Sequence, residues 1–263
     1  MRTCCGAETF WVAYGMCGLL VYLCRKLQPR TLLVLGLLTI AVASASLMSY
    51  GLWSQHWSPE QLEVAREQLW MPTPSQAANQ IAAYRSTWMA QMKFRVPDSV
   101  QMETIFFVVF TFWRVTGLML AGMALFKLGV FSAKRPASLY WTMIAVALCV
   151  GIPVTLYGTH RDFAAGWDFR YSFFYGAQSN YWASLLVSLG WVGAIMLASR
   201  AATLLPFTRR LAAVGRMAFT NYIMHTIICT TLFYGHGFGL FGKVERFRQF
   251  AIVLVHRTDS SLY

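Results

Sequence analysis

Four stretches of this chain, 31–53, 103–126, 139–158 and 181–199, are each close to twenty residues long and almost free of charge. A helix needs about 20 apolar residues to cross a ~30 Å hydrocarbon layer. Inside lipid every backbone group must bond within its own segment, so runs of this kind fold as helices. Two shorter runs, 10–24 and 217–234, continue the pattern, and a stub at 247–255 is too short to cross. The expectation is an all-α polytopic membrane helix bundle, a single domain over 1–263. It has six spans plus a partial seventh, with a long external helical loop at 54–102.

Charge supports that reading and excludes a competing one. Only 12% of residues are charged, against about a quarter in soluble domains. The net charge of +12 could suggest nucleic acid, but the basic residues sit in short clusters between apolar runs. Arg25, Lys26 and Arg30 follow the first span. Lys127, Lys134 and Arg135 follow the third, and Arg200, Arg209, Arg210 and Arg216 follow the fifth. These three loops lack Asp and Glu, so the positive-inside rule makes them cytoplasmic. Six cysteines form no disulfide framework: Cys17, Cys24, Cys149 and Cys229 lie in or beside apolar runs, and Cys4–Cys5 has no second pair for zinc.

That orientation puts the amino terminus outside, with no cleavable signal and a short first span. The polar HRTDSSLY closes the chain. The expectation is a fragment or frame-disrupted copy of a longer protein, truncated at both ends.

Within the external loop, Ser58-Pro59-Glu60 reads as a helix start, with a capping hydroxyl, proline in the first turn and an acid at the positive dipole end. Met71-Pro72-Thr73-Pro74 ends that helix. A second is expected from Ser75, with Ala77, Ile81, Tyr84, Trp88 and Met92 along one face, lying in the outer interface or over the span ends. Gly151 and Pro153 predict a kink in the fourth span. Gly117 and Ala121 make a small-xxx-small pair for close helix contact.

Polar residues inside apolar spans are functional candidates. Arg114 lies near the centre of the third span, where insertion costs roughly 2.5–3.5 kcal/mol. It either bonds to neighbouring helices or contacts a substrate. Asn221 and His225 are four residues apart, hence on one face of a helix. His225 can serve as a general base, with Asn221 orienting it or donating to an oxyanion alongside Arg114. Equally, the two can hold helices together by hydrogen bonds. His56, His160 and His236 have no metal-ligand spacing, so no metal centre is assigned. The glycines at 235, 237 and 239 lack the strand–turn–helix setting of a nucleotide loop.

Three stretches carry a family likeness: GRMAFTNYIMHTIICTTLFYGHGFGLFG at 215–242, FWRVTGLMLAGMALFKLGVF at 112–131 and AYRSTWMAQMKFRVP at 83–97. With GMCGLLVYLCRKLQPRTLLVLGL near the start, the chain from about 10 to 250 resembles the YeiB-like family of bacterial inner-membrane proteins. Members of that family carry further spans before and after the stretch matched here. They often have glutamine at the position of His225, which moves weight to Asn221, Tyr222 and Arg114. The family is grouped by distant similarity with membrane acyltransferases. The resemblance therefore implies acyl transfer from an acyl-CoA-like donor to an envelope lipid or glycan acceptor. Tyr222 would be a substrate contact, and Arg216, with Arg209 and Arg210, would meet the donor's phosphates. The alternatives are a small-solute or ion transporter and a non-enzymatic membrane interaction or assembly protein. The lipid bilayer is the expected partner, and nucleic acid is not.

Overall fold

A computed structural model describes residues 7–244. Among them the chain is helical throughout, without strands. In order the helices are α1 (Ala7–Leu23), α2 (Pro29–Trp53), α3 (Pro59–Leu69), α4 (Pro74–Tyr84), α5 (Trp88–Gln101) and α6 (Phe112–Lys127). There follow α7 (Ala137–Val146), α8 (Ile152–Ala164), α9 (Ala177–Ala198), α10 (Leu205–Arg216) and α11 (Ala218–Phe233). Stretches of π-helix at Met102–Thr111, Ala147–Gly151 and Tyr171–Gly176 carry α5 into α6, α7 into α8 and the chain into α9.

Four helical runs are long and apolar enough to cross a membrane: Pro29–His56, Trp88–Lys127, Ala137–Ala164 and Tyr171–Ala198. They cover the spans expected at 31–53, 103–126, 139–158 and 181–199. Helices also form at the two shorter runs, but α1 has 17 residues and α11 has 16. At 1.5 Å per residue α11 is about 24 Å long, below the ~30 Å of hydrocarbon. The stub at 247–255 lies outside the described residues. Large apolar side chains such as Leu19, Phe126, Trp141, Leu156 and Trp191 stand more than 60% exposed. Helices so apolar on the outside need lipid rather than water around them.

The backbone divides into two compact units. Among the described residues, one comprises 9–71 with 102–204, the other 7–8 with 72–101 and 205–244.

In the first unit, α2 packs along α6 through glycine. A Cβ on Gly117 would lie 2.6 Å from the Gly36 carbonyl oxygen and 2.6 Å from Ile40 Cγ1. One on Gly36 would lie 2.9 Å from the Gly117 oxygen and 3.2 Å from the Ala121 nitrogen. The small pair at 117 and 121 thus receives Gly36, and the two backbones touch. Val21, Leu32, Leu120 and Ala124 close the seam beside it. On the other side α9 lies against α7 and α8, where Gly193 meets the Tyr140 carbonyl and Gly151 meets Leu186 and Val187. In lipid, where no hydrophobic force pulls helices together, such close contact is the main source of packing energy.

At Gly151 and Pro153 the helix widens to a π stretch, Ala147–Gly151, before α8 starts with Pro153 in its first turn. Proline has no N–H to donate there, which is the physical cause of the irregularity expected from sequence.

One end of this unit gathers basic residues. Lys127 Nζ donates to the carbonyl oxygens of Arg25 (2.5 Å) and Leu27 (2.7 Å). The Arg200 guanidinium donates to the carbonyl oxygens of Ala133 and Arg135. Lys127 thus closes carbonyls just past the end of the first helix, and Arg200 closes carbonyls in the loop between α6 and α7.

The segment between the first two membrane-length runs is helical, as its caps predict. Ser58 and Thr73 each form a reciprocal capping box, with Gln61 and Gln76 respectively. The second helix departs from expectation. The apolar stripe from Ala77 to Met92 is broken at 85–87, so α4 ends at Tyr84 and α5 begins at Trp88. The Thr87 hydroxyl accepts the Ala90 N–H at 3.4 Å and starts the new helix.

Candidate functional site

Arg114 sits in the first turn of α6, half-buried. Its Nη1 donates to the Tyr181 carbonyl oxygen at 3.2 Å and its Nη2 to Ser184 Oγ at 3.0 Å. The guanidinium carbon lies 3.9 Å from the centre of the Tyr181 ring, within cation–π range. Tyr181 is itself anchored, its hydroxyl donating to the Ile40 carbonyl oxygen at 2.8 Å. A polar chain runs on from there. Trp182 Nε1 donates to Ser44 Oγ at 3.1 Å, and Ser44 Oγ donates to Gln178 Oε1 at 2.6 Å. The arginine thus joins α6 to α9, and Tyr181 and Trp182 join α9 to α2. All of these partners are uncharged. Glu103, on the same helical face as Arg114 by spacing, is exposed at the start of the π stretch.

Asn221, Tyr222 and His225 belong to the second unit, on α11. Asn221 and Tyr222 are half-buried and His225 is exposed. The next residue at the same spacing is Cys229, whose Sγ lies 3.6 Å from His225 Nε2 and 3.9 Å from Nδ1. An amide, an imidazole and a thiol therefore recur every four residues along one face. Arg216 is exposed in the last turn of α10. The α11 candidates share a helix with one another, while Arg114 lies in the other unit.

The structure also draws together two segments that residue-by-residue reasoning left apart. The Gly235 N–H donates to the Tyr84 carbonyl oxygen at 2.9 Å, and the same oxygen accepts Gln91 Nε2 at 3.3 Å. Arg85 Nε donates to the Phe241 carbonyl oxygen at 2.7 Å. Tyr84 stacks on Phe241 with ring centres 4.7 Å apart and tilts against Tyr234 at 5.4 Å. Tyr84, Gln91 and Tyr234 are buried. Gly235 has no room for a Cβ, which would strike the backbone of Arg85 and Ser86. The glycine-rich turn is thus shaped to admit another stretch of the chain. Its sequence signal was present, since 83–97 and 215–242 are two of the three stretches that carry the family likeness. Periodicity within either one could not pair them.

Among the described residues no three His, Cys, Asp or Glu side chains come together. His236 packs its ring edge against Tyr234 at 5.7 Å.

A family model described as "Protein of unknown function (DUF418)" matches residues 125–258. Uncharacterized protein YeiB of Escherichia coli (strain K12) is 24% identical over 257 residues, which cover 93% of this chain and 63% of YeiB. Uncharacterized protein YxaH of Bacillus subtilis (strain 168) is 67% identical over 33 residues, 12% of this chain and 8% of its own. The chain thus spans less than two thirds of YeiB's length. No solved structure matches. The chain belongs to the DUF418 family and is YeiB-like.

Proposed function

We propose that this DUF418 protein is a multi-pass protein of the bacterial inner membrane that transfers an acyl group from a cytosolic thioester donor to an envelope lipid or glycan. The observation that carries the reading is the polar face of α11. Asn221 and His225 stand one turn apart on an apolar helix, with the Cys229 thiol 3.6 Å from the exposed imidazole. In the reaction an acceptor hydroxyl attacks the thioester carbonyl while His225 takes its proton. The Asn221 amide donates to the oxyanion, and the proton passes from His225 to the departing thiolate. Tyr222, on the same helix, is the substrate contact in this reading.

The hydrogen bonds between 84–91 and 234–242 hold those two segments on the same side of the membrane. The orientation follows from the positive-inside rule, because the loops after the first, third and fifth spans are the three without acids.

The test supplies isotopically labelled acetyl-CoA to the cytosolic face of membranes holding the protein and follows label into lipid and glycan. His225→Ala should lower transfer by about 100-fold or more, the scale of general acid–base catalysis. Transfer unaffected by both His225→Ala and Asn221→Ala would remove α11 as the site. No transfer from any acyl donor would remove the reaction class.

Arg114 favours a second reading, a non-enzymatic membrane assembly protein. Its guanidinium is engaged in holding α6 to α9, a structural use of a polar side chain in lipid. Intact transfer in the test above would exclude that reading.

A further inference from the structure

A basic amphipathic helix follows a membrane-length run in the sequence. α10 begins at Leu205, a few residues after Tyr171–Ala198 ends. That end is the basic one, where Arg200 closes the Ala133 and Arg135 carbonyls. No Asp or Glu occurs between Asp168 and Glu245, so nothing in the surrounding sequence offsets the arginines of α10. At 100° per residue, Leu211 and Val214 share one stripe of α10, while Arg209 and Arg216 fall on the opposite side and Arg210 on the flank. The two apolar side chains are 43% and 44% exposed. At 12 residues the helix is about 18 Å long, too short to cross a ~30 Å layer. Its arginines would also be costly at the centre of a bilayer.

We propose that α10 is an interfacial helix. It lies along the membrane surface with Leu211 and Val214 in the acyl boundary, and Arg209, Arg210 and Arg216 meet the phosphates of anionic lipids. Charge complementarity selects this occupant: three guanidiniums without neighbouring acids face a surface of phosphate, and an apolar stripe faces the chains beneath it. The inference rests on the membrane placement and not on acyl transfer.

The experiment uses the full chain in a cysteine-free background, with nitroxide labels at L211C, A212C, A213C and V214C in turn. Vesicles are made of phosphatidylcholine alone or with added phosphatidylglycerol. Dissolved oxygen should dominate collisions at 211 and 214, and a water-soluble nickel chelate at 212 and 213, with a several-fold contrast that grows with phosphatidylglycerol. Replacing the three arginines together, R209Q, R210Q and R216Q, should abolish that growth. Nickel access at all four sites would put the face in water. Exclusion of both reagents from 211 and 214 would put protein over it. A contrast that responds to added coenzyme A but not to phosphatidylglycerol would assign the arginines to a soluble phosphate. Each of these results overturns the proposal. A second measurement needs no variant: phenylglyoxal should modify Arg209, Arg210 and Arg216 of the unaltered chain several-fold more slowly in phosphatidylglycerol vesicles. Equal rates would also overturn it.

Discussion

Arg114 on α6 and His225 on α11 are both polar groups in apolar helices, and the structure treats them in opposite ways. Arg114 is half-buried, capped by a carbonyl and a hydroxyl from α9 and laid over an aromatic ring. His225 is exposed, with the Cys229 thiol of its own helix 3.6 Å from Nε2. A charge inside a membrane protein is tolerated when neighbouring helices supply its hydrogen bonds, and it then stiffens the bundle. An exposed imidazole needs no such set of partners from neighbouring helices. Polarity alone therefore does not mark a site. What separates the two is exposure: Arg114 is half-buried between α6 and α9, and His225 stands at the surface.

The comparison is sharpened most by a variant that should affect chemistry alone. His225→Ala is expected to reduce acyl transfer about 100-fold or more while leaving the unfolding transition in mixed micelles unchanged. A matching loss of stability would erase the distinction. Arg114→Gln should do the reverse and destabilise the first unit by about 1.5–3 kcal/mol, the range for hydrogen bonds to a charged group. Arg114→Lys should recover only part of this, since an ammonium cannot reproduce the planar fork that reaches Tyr181 and Ser184 together. Full recovery would show that charge rather than geometry matters. In the second unit, Gly235→Ala pushes a methyl into the Arg85–Ser86 backbone and should cost about 1–3 kcal/mol. Its readout is faster proteolysis of 84–91 in intact vesicles. The smallest effect is expected from Tyr181→Phe, which removes the bond to the Ile40 carbonyl but keeps the ring beneath Arg114. About 0.6 kcal/mol is typical for one interhelical hydrogen bond in a membrane. A loss as large as that of Arg114→Gln would make the tyrosine the anchor and the arginine an accessory.

Much of the helical pattern was readable because lipid imposes it. A run like 31–53 has few alternatives to a helix, and Ser58-Pro59 names its own starting point. The contact at Gly117 and Ala121 was legible as well, since two small residues one turn apart leave a groove that another backbone can enter. The break at 85–87 was less visible. Apolar periodicity runs straight through it, and only the capping hydroxyl of Thr87 marks a restart. The expected six spans and partial seventh rested on hydropathy, which sees composition but not how far a run such as α11 reaches. Partners were hardest of all. That Arg114 would meet Tyr181 and Ser184, or that Tyr84 would accept a hydrogen bond from Gly235, depends on tertiary contacts between segments far apart in sequence. No local spacing encodes those.

The hydrogen bond between Arg85 and Phe241 has a consequence for biogenesis. The two residues are 156 positions apart in sequence. At about 5–20 residues per second, a ribosome takes roughly 10–30 s to deliver the second after the first has emerged. For that interval Tyr84 and Gln91 lack the surface that later covers them, while intervening helices are inserted. The closing step is the delivery of a handful of residues around Gly235. A chain stalled before them would hold inserted helices and an unsealed segment, a target that quality-control proteases can recognise without reading any other part of the protein.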